Sequence, residues 1–143
     1  KCENKGSNFF LTAVITLLFV VHSCKDKEDL VPQAYVNFTI SLADPEFADL
    51  QTVGNSILVT GGVCGIVLFR LSQDEFVALE RNCTYQPSDR CAVAPDSSGL
   101  ILRCPCCSSF FSISNGTHMG GEAKRPLVLY NTSFDGLYLH VYN

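Results

Sequence analysis

The sequence predicts an all-β domain, an antiparallel sandwich or barrel, and three observations support this fold class. Downstream of Gln33, apolar residues recur with a period of two rather than with the 3.6-residue period of a helix. The first example is the alternation of Val36, Phe38, Ile40 and Leu42. The strand candidates follow one another at intervals of about ten residues, and the segments between them are rich in Gly, Asn, Asp and Ser, which favour turns. A chain of 143 residues with 47% hydrophobic residues is long enough for one such domain.

Each strand candidate is a short apolar run bounded by turn residues. In chain order the candidates are 36–42, 56–60, 66–71, 76–80, 100–103, 110–114, 127–131 and 137–142. One short helical turn is predicted within 44–50, between the first two strands. Asn115-Gly116 and Asp135-Gly136 suit hairpin turns, because both residues of each pair tolerate positive φ.

The N-terminal segment has the composition of a secretion signal. Lys1 and Lys5 precede Phe9–Val21, an apolar run of 13 residues with two threonines as its only polar members. A helix that crosses a bilayer needs about 20 residues, whereas the apolar run of a signal peptide has about 7–15. We therefore predict that residues 1–23 are a signal peptide.

The residues after this run predict a lipid anchor. Val21-His22-Ser23-Cys24 resembles a bacterial lipobox, in which the cysteine is diacylated after cleavage, so Cys24 is the predicted lipid attachment site. The charged run Lys25–Asp29 cannot be buried and predicts a flexible tether over 24–32. It also resembles the acidic signal that sends Bacteroidetes lipoproteins to the cell surface. The expected location is the outer membrane of a bacterial cell envelope, on its periplasmic or its surface face, with the lipid anchor as the membrane contact.

Charge and motif content exclude several function classes. Lys and Arg total 10 against 14 Asp and Glu, giving a net charge of −4, and no basic patch of the kind that binds nucleic acid is visible. No Ser, His and acidic set predicts a hydrolytic or transferase site. The glycines at 61, 62 and 65 suit turns better than a phosphate loop. We therefore expect neither nucleic-acid binding nor enzymatic activity.

Cysteine motifs between Asn82 and Tyr130 carry the strongest functional signal. They are Cys83-Thr84-Tyr85 with Cys91 downstream, Cys104-Pro105-Cys106-Cys107-Ser108-Ser109, and Gly121-Glu122-Ala123-Lys124-Arg125-Pro126-Leu127. In this order and spacing they resemble the Rieske iron–sulfur family, whose loops read Cys-x-His, Cys-Pro-x-His-Gly-Ser and Gly-Pro-Ala-x-x-Pro-Leu. The resemblance covers residues 33–143. It implies a Rieske-like domain: an antiparallel β-sandwich or barrel with a smaller subdomain of the cluster-binding type.

The resemblance maps only half of the Rieske iron ligands onto suitable residues. A Rieske centre is held by two cysteines and two histidines. The cysteine positions are kept as Cys83 and Cys104, but the histidine positions hold Tyr85 and Cys107. A phenol with a pKa near 10 is a poor substitute for imidazole. We therefore expect no cofactor, and the alternative is a [2Fe–2S] cluster bound by these four residues.

The domain has six cysteines, an even number that favours disulfides outside the cytosol. High-potential Rieske proteins tie two loops by a disulfide, and the resemblance places that bridge between Cys91 and Cys106. Cys83 would then pair with Cys104 or with Cys107. Cys64 would pair with the remaining thiol or act as a small buried hydrophobe.

Two further uses of these thiols stay open. Cys83, Cys91, Cys104 and Cys107 suit a four-thiolate zinc site, and thiol–disulfide exchange at Cys104, Cys106 and Cys107 would make the protein thiol-disulfide active. The leading interpretation is an envelope lipoprotein of Rieske-like fold that has lost its cluster. It would act as a structural or accessory subunit, with an outer-membrane protein complex as its partner. Electron transfer by an atypically ligated cluster is the principal alternative.

Overall fold

The computed structural model describes residues 29–143, which form two antiparallel β-sheets and two 3-10 helices. The larger sheet has six strands in the order β1-β10-β9-β4-β3-β2, and the smaller sheet has four in the order β5-β6-β7-β8. The strands are β1 Asn37–Ser41, β2 Ser56–Val59, β3 Ile66–Arg70, β4 Phe76–Glu80, β5 Ala94–Pro95, β6 Ile101–Arg103, β7 Phe110–Ser112, β8 His118–Gly120, β9 Leu129–Phe134 and β10 Tyr138–Tyr142. The 3-10 helices are Pro45–Gln51 and Pro87–Asp89. The predicted all-β fold class is confirmed.

The predicted signal peptide 1–23, the lipid attachment site Cys24 and tether residues 25–28 lie outside the described residues. Within 29–143, no helix has the length and apolar character that a membrane crossing requires. Residues 29–32 of the predicted tether belong to the part that the structure describes. Within them, the Asp29 carboxylate accepts a hydrogen bond from Ser88 Oγ at 3.0 Å. Its backbone carbonyl accepts one from Arg125.

Two neighbouring strands of the larger sheet, β3 and β4, are buried on both faces. Every residue of β3 and β4 is buried. Val67 and Phe69 belong to one core cluster together with residues of the smaller sheet. Ile66 and Leu68 belong to a second cluster with residues of β1, β4, β9 and β10, so the larger sheet curves around it as a half-barrel. A strand covered on both faces needs apolar residues at successive positions, which explains the unbroken run Ile66–Phe69.

The carboxylate of Glu80 joins three separate segments at the end of β4. The residue is 0% exposed. Its oxygens accept hydrogen bonds from the backbone N–H groups of Val63 at 2.7 Å, Cys64 at 2.9 Å and Asn82 at 2.9 Å, and from the Tyr130 hydroxyl at 2.7 Å. Burial, followed by the hydrogen bond and the charge of Glu80, raises the pKa of Tyr130. Four donors on one carboxylate satisfy the buried charge and hold the turn 61–65 and β9 against the start of the next loop.

Candidate functional site

Three loops meet at one end of the smaller sheet, and the first two are closed by backbone hydrogen bonds. The first loop (83–91) follows β4 and is closed by the bond from Cys83 N–H to the Cys91 carbonyl at 2.8 Å. The second loop (104–109) joins β6 to β7 and is closed by the bond from Cys104 N–H to the Ser109 carbonyl at 2.8 Å. Because these bonds continue the strand ladders, the strands determine where the cysteines lie.

The third loop (121–127) packs directly on the other two. Ala123 N–H donates to Ser109 Oγ at 2.8 Å, and Thr84 Oγ1 donates to the Arg125 carbonyl at 2.7 Å. Gly121 has φ +92°, and a Cβ placed there would lie 2.4 Å from Ser109 Cα. Only glycine permits this close approach in this backbone conformation.

A disulfide between Cys91 and Cys106 joins the first loop to the second. Its Cα atoms are 6.4 Å apart, and the two residues are separated by 15 positions in the sequence. The bridge that the resemblance implies is confirmed. Cys91 is buried in the core, whereas Cys106 is exposed.

Three free cysteines form a thiol cluster: Cys83, Cys104 and Cys107. Their sulfur atoms all lie within 4.8 Å of one another, and Cys83 Sγ is 3.5 Å from Cys107 Sγ. Cys83 is 0% and Cys104 3% exposed, while Cys107 is half-buried. Cys107 Sγ donates a hydrogen bond to Ser109 Oγ at 3.1 Å. The second loop thus brings two of the thiols to the third, which lies at the start of the first loop.

The surroundings affect two of these thiols in opposite directions. Burial raises the pKa of Cys83, and the neighbouring thiols Cys104 and Cys107 raise it further, against a backbone hydrogen bond at Tyr85 that lowers it. For Cys107, burial also raises the pKa, but hydrogen bonds with Ser109 and the two other thiols outweigh burial and lower it overall. Of these two thiols, Cys107 is therefore the one that ionises more readily.

Neither of the two histidines in residues 29–143 belongs to these loops. His118 lies in β8, where its ring meets the ring of Phe111 edge-on at 5.8 Å between centroids. His140 lies in β10, and its Nε2 is 2.8 Å from Asn37 Oδ1. Tyr85 is half-buried and packs against the core cluster that contains the thiols. The donors in the loops are thus thiols and a phenol, a set that does not fit a Rieske centre with its two imidazoles.

The structure decides several of the alternatives for the cysteines. The predicted zinc site with four cysteine ligands is wrong, because one of its four ligands, Cys91, forms the disulfide with Cys106. Cys83 is bonded to neither Cys104 nor Cys107. Cys64 is a half-buried free thiol that donates to the Arg90 carbonyl at 3.3 Å, so it is neither paired nor fully buried. Burial, followed by the charge of Glu80, raises the pKa of Cys64.

The geometry also bears on the predicted thiol–disulfide exchange at Cys104, Cys106 and Cys107. The sulfur of Cys104 lies within 4.8 Å of both sulfurs of the Cys91–Cys106 bridge. Cys107, whose pKa is lowered, is not in the group that Cys104 forms with the bridge sulfurs; it groups with Cys83 and Cys104. Exchange needs an accessible, low-pKa thiol, and here the thiol beside the bridge is buried. Exchange activity therefore stays a prediction.

Comparisons with known proteins show what the fold is. No protein-family model matches the chain, and no curated protein matches it. Among solved structures, the chain is similar to the plasma-membrane Rieske protein PetC3 of the cyanobacterium Synechocystis PCC 6803, with a TM-score of 0.56 and 21% identity. That alignment covers 73% of this chain and 99% of the other. The ferredoxin of carbazole 1,9a-dioxygenase from Nocardioides aromaticivorans IC177 is similar with a TM-score of 0.50 and 16% identity, over 76% of this chain and 96% of the ferredoxin.

These likenesses define the class of protein: the chain has a Rieske fold. At 21% and 16% identity they concern the fold alone. The cysteine positions of the first and second loops therefore lie on a Rieske scaffold, and Tyr85 and Cys107 stand where the resemblance expects imidazoles.

Sequence reasoning did not identify Glu80 as a residue that positions the site. A charged residue at the end of the run Phe76–Glu80 is ordinarily solvent-exposed. The available signal was the pair Gly61-Gly62, because a glycine turn brings backbone N–H groups close to an anion. Gly62 has φ +60°, and a Cβ there would lie 2.1 Å from Glu80 Oε2.

Proposed function

We propose that this protein is an envelope lipoprotein of Rieske fold that has lost the Rieske [2Fe–2S] cluster. It acts as a structural or accessory subunit rather than as an enzyme. One observation carries the proposal: the three loops are fully assembled, but their donors are Cys83, Cys104, Cys107 and Tyr85, without an imidazole. The disulfide and the hydrogen bonds between the loops hold the subdomain together by covalent and polar contacts that need no iron.

The proposed location follows from the N-terminal sequence. A diacylated Cys24 would attach the domain to the outer membrane, since two acyl chains suffice for stable anchoring. The partner would be an outer-membrane protein complex. A disulfide between the loops agrees with a compartment outside the reducing cytosol.

Iron and sulfide analysis of the purified full chain tests the loss of the cluster. The proposal expects a colourless protein without absorption between about 400 and 600 nm, and less than one iron per ten chains. A brown preparation with about two irons and two inorganic sulfides per chain would refute it. The protein is produced in cells grown with added iron, so that a colourless product cannot be attributed to a lack of iron during expression.

Electron transfer by an atypically ligated [2Fe–2S] cluster is the second candidate. It is favoured by the gathering of three free thiols within 4.8 Å, with Tyr85 packed against the same core cluster. Three thiolates in place of two would lower the reduction potential towards that of plant-type ferredoxins, about −400 mV. This candidate predicts that Cys107→Ser and Tyr85→Phe each remove the iron, whereas Cys64→Ser, which alters a thiol outside the cluster, does not. Equal iron contents in all these variants would exclude it.

A further inference from the structure

We propose that the thiol cluster binds a single soft, closed-shell metal cation, Cu⁺ or Zn²⁺, in a site of three thiolates. Its ligands are Cys83, Cys104 and Cys107. The inference rests on the proposed loss of the iron–sulfur cluster, because both kinds of centre would use the same sulfur atoms.

The distances between the three sulfur atoms suit a single shared ion. A thiolate sulfur lies about 2.3 Å from zinc, so sulfurs that share one ion are about 3.8 Å apart in tetrahedral and about 4.0 Å apart in trigonal geometry. Here Cys83 Sγ and Cys107 Sγ are 3.5 Å apart, and all three sulfurs lie within 4.8 Å of one another. The Cys83–Cys107 separation would widen by about 0.3 to 0.5 Å and the other two would change by at most about 1 Å, which side-chain rotations can supply.

The chemistry of the donors determines the class of ion. Three thiols without carboxylate or imidazole neighbours form a soft donor set, which selects Cu⁺ and Zn²⁺ over hard cations. Within residues 29–143, the group of metal-binding side chains at this point contains only these three cysteines. Cu⁺ would be complete with three thiolates, whereas Zn²⁺ would take a water as its fourth ligand. Binding either ion displaces the thiol protons to solvent.

Neighbouring groups already orient the ligands. Ser109 Oγ accepts a hydrogen bond from Cys107 Sγ at 3.1 Å and one from Ala123 N–H at 2.8 Å, so the third loop holds the serine that positions the thiol. Such outer partners fix the direction of a ligand and contribute to metal affinity. Cys107 is the one ligand of the three that is only half-buried, so an ion would enter from its side. The disulfide holds the first and second loops together before any ion binds.

The test is a metal titration of the full chain in a background that carries Cys2→Ser and Cys24→Ser. This background limits the free thiols to the four that the structure describes. The protein is prepared anaerobically without metal, and non-reducing peptide mapping verifies the Cys91–Cys106 bridge. Zn²⁺ and Cu⁺ are each titrated against a chromophoric chelator, and elemental analysis counts the ions bound per chain.

The expected result is one ion per chain for at least one of the two cations. Cys83→Ser, Cys104→Ser and Cys107→Ser should each weaken binding about 100-fold or more, and Ser109→Ala about 10-fold. The matched control Cys64→Ser should bind like the parent. Circular dichroism of each variant shows whether it is folded, and Ser109→Ala keeps all three thiols, so it tests the site if a cysteine variant fails to fold.

Three results would overturn the inference. The first is that the folded parent binds neither cation. The second is that Cys64→Ser weakens binding as much as the variants of the three ligand cysteines do. The third is that every folded variant of the three cysteines and of Ser109 binds with the affinity of the parent. A protein that binds neither cation and also lacks iron would leave the proposed function standing and refute this inference alone. A purified chain with two irons and sulfide would refute both.

Discussion

Removing the Cys91–Cys106 bridge is the sharpest test of how the loops are stabilised. We choose Cys106→Ser because Cys106 is exposed, whereas Cys91 is buried in the core and keeps its side chain in this variant. The bridge closes a loop of 15 residues. In the chain-entropy model, a loop of this size restricts the unfolded state by about 10 cal/mol/K, which corresponds to about 3 kcal/mol at 25 °C.

The expected change in thermal stability follows from the size of the domain. A folded unit of about 115 residues unfolds with an entropy of about 240 cal/mol/K. A loss of about 3 kcal/mol therefore lowers Tm by about 12 °C. Urea unfolding followed by tyrosine fluorescence measures the free energy directly, because the chain has five tyrosines and no tryptophan.

The comparison requires the parent and Cys64→Ser under identical anaerobic conditions. Cys64 lies outside both the bridge and the thiol cluster, so its replacement should change the free energy of unfolding by less than about 0.5 kcal/mol. A loss below about 1 kcal/mol in Cys106→Ser would refute the reasoning. It would mean that the loop is already restricted in the unfolded state or that the hydrogen bonds between the loops suffice.

Three further predictions concern the buried carboxylate and its neighbours. Glu80→Gln should lower the free energy of unfolding by about 3 kcal/mol. The NH₂ group of the glutamine would face backbone N–H groups that now donate to the carboxylate, so buried donors would be left without an acceptor. Gly62→Ala should cost about 2 kcal/mol more than Gly136→Ala, since both glycines have positive φ but only the first would place a Cβ against Glu80. The raised pKa of Tyr130 predicts a pH dependence of the free energy of unfolding. This free energy should be constant below the ordinary tyrosine pKa of about 10 and should fall as the pH rises above it. The reason is that the folded state keeps the hydroxyl proton to a higher pH than the unfolded state does.

Urea unfolding checks the first two of these predictions, and repeating it from pH 8 to pH 11 checks the third. Tyr130→Phe is the control for the pH series, because this variant should lose its dependence on this titration. If Gly62→Ala and Gly136→Ala proved equally stable, the close approach of residue 62 to the carboxylate would have no energetic consequence. An unchanged stability of Glu80→Gln would mean that water or a shifted backbone satisfies the donors.

The longer strands could be predicted from the sequence because their side chains carry the pattern. All eight strand candidates correspond to observed strands, and Phe76–Glu80 agrees at both ends. The strands β5 and β8 were missed, because two or three residues cannot show an alternation. These two are stabilised by pairing with distant segments rather than by a local preference. The strand predicted at 127–131 is shifted to Leu129–Phe134, since its pairing partners in β4 and β10 determine where it begins and ends.

The candidate site could also be predicted from the sequence only in part. The loop motifs identify the residues that meet, and the resemblance names the Cys91–Cys106 partners. Spacing alone does not tell which of the remaining thiols are bonded, because many pairings of six cysteines satisfy the same chain lengths. The contact of Cys83 with Cys107 depends on how β4 is placed relative to β6 and β7, and Cys64 stays apart because it lies in the turn between β2 and β3.

By itself the sequence determined the class of fold, the order of the three loops and the replacement of two imidazole donors by a phenol and a thiol. These are properties of residue identity and short-range pattern. Only the tertiary structure decided that three thiols converge while a fourth stays apart, and that the charge of Glu80 is buried. The physical reason is that sulfur contacts and hydrogen bonds to a buried carboxylate require atoms from segments far apart in the chain, and the packing of the two sheets sets their distances.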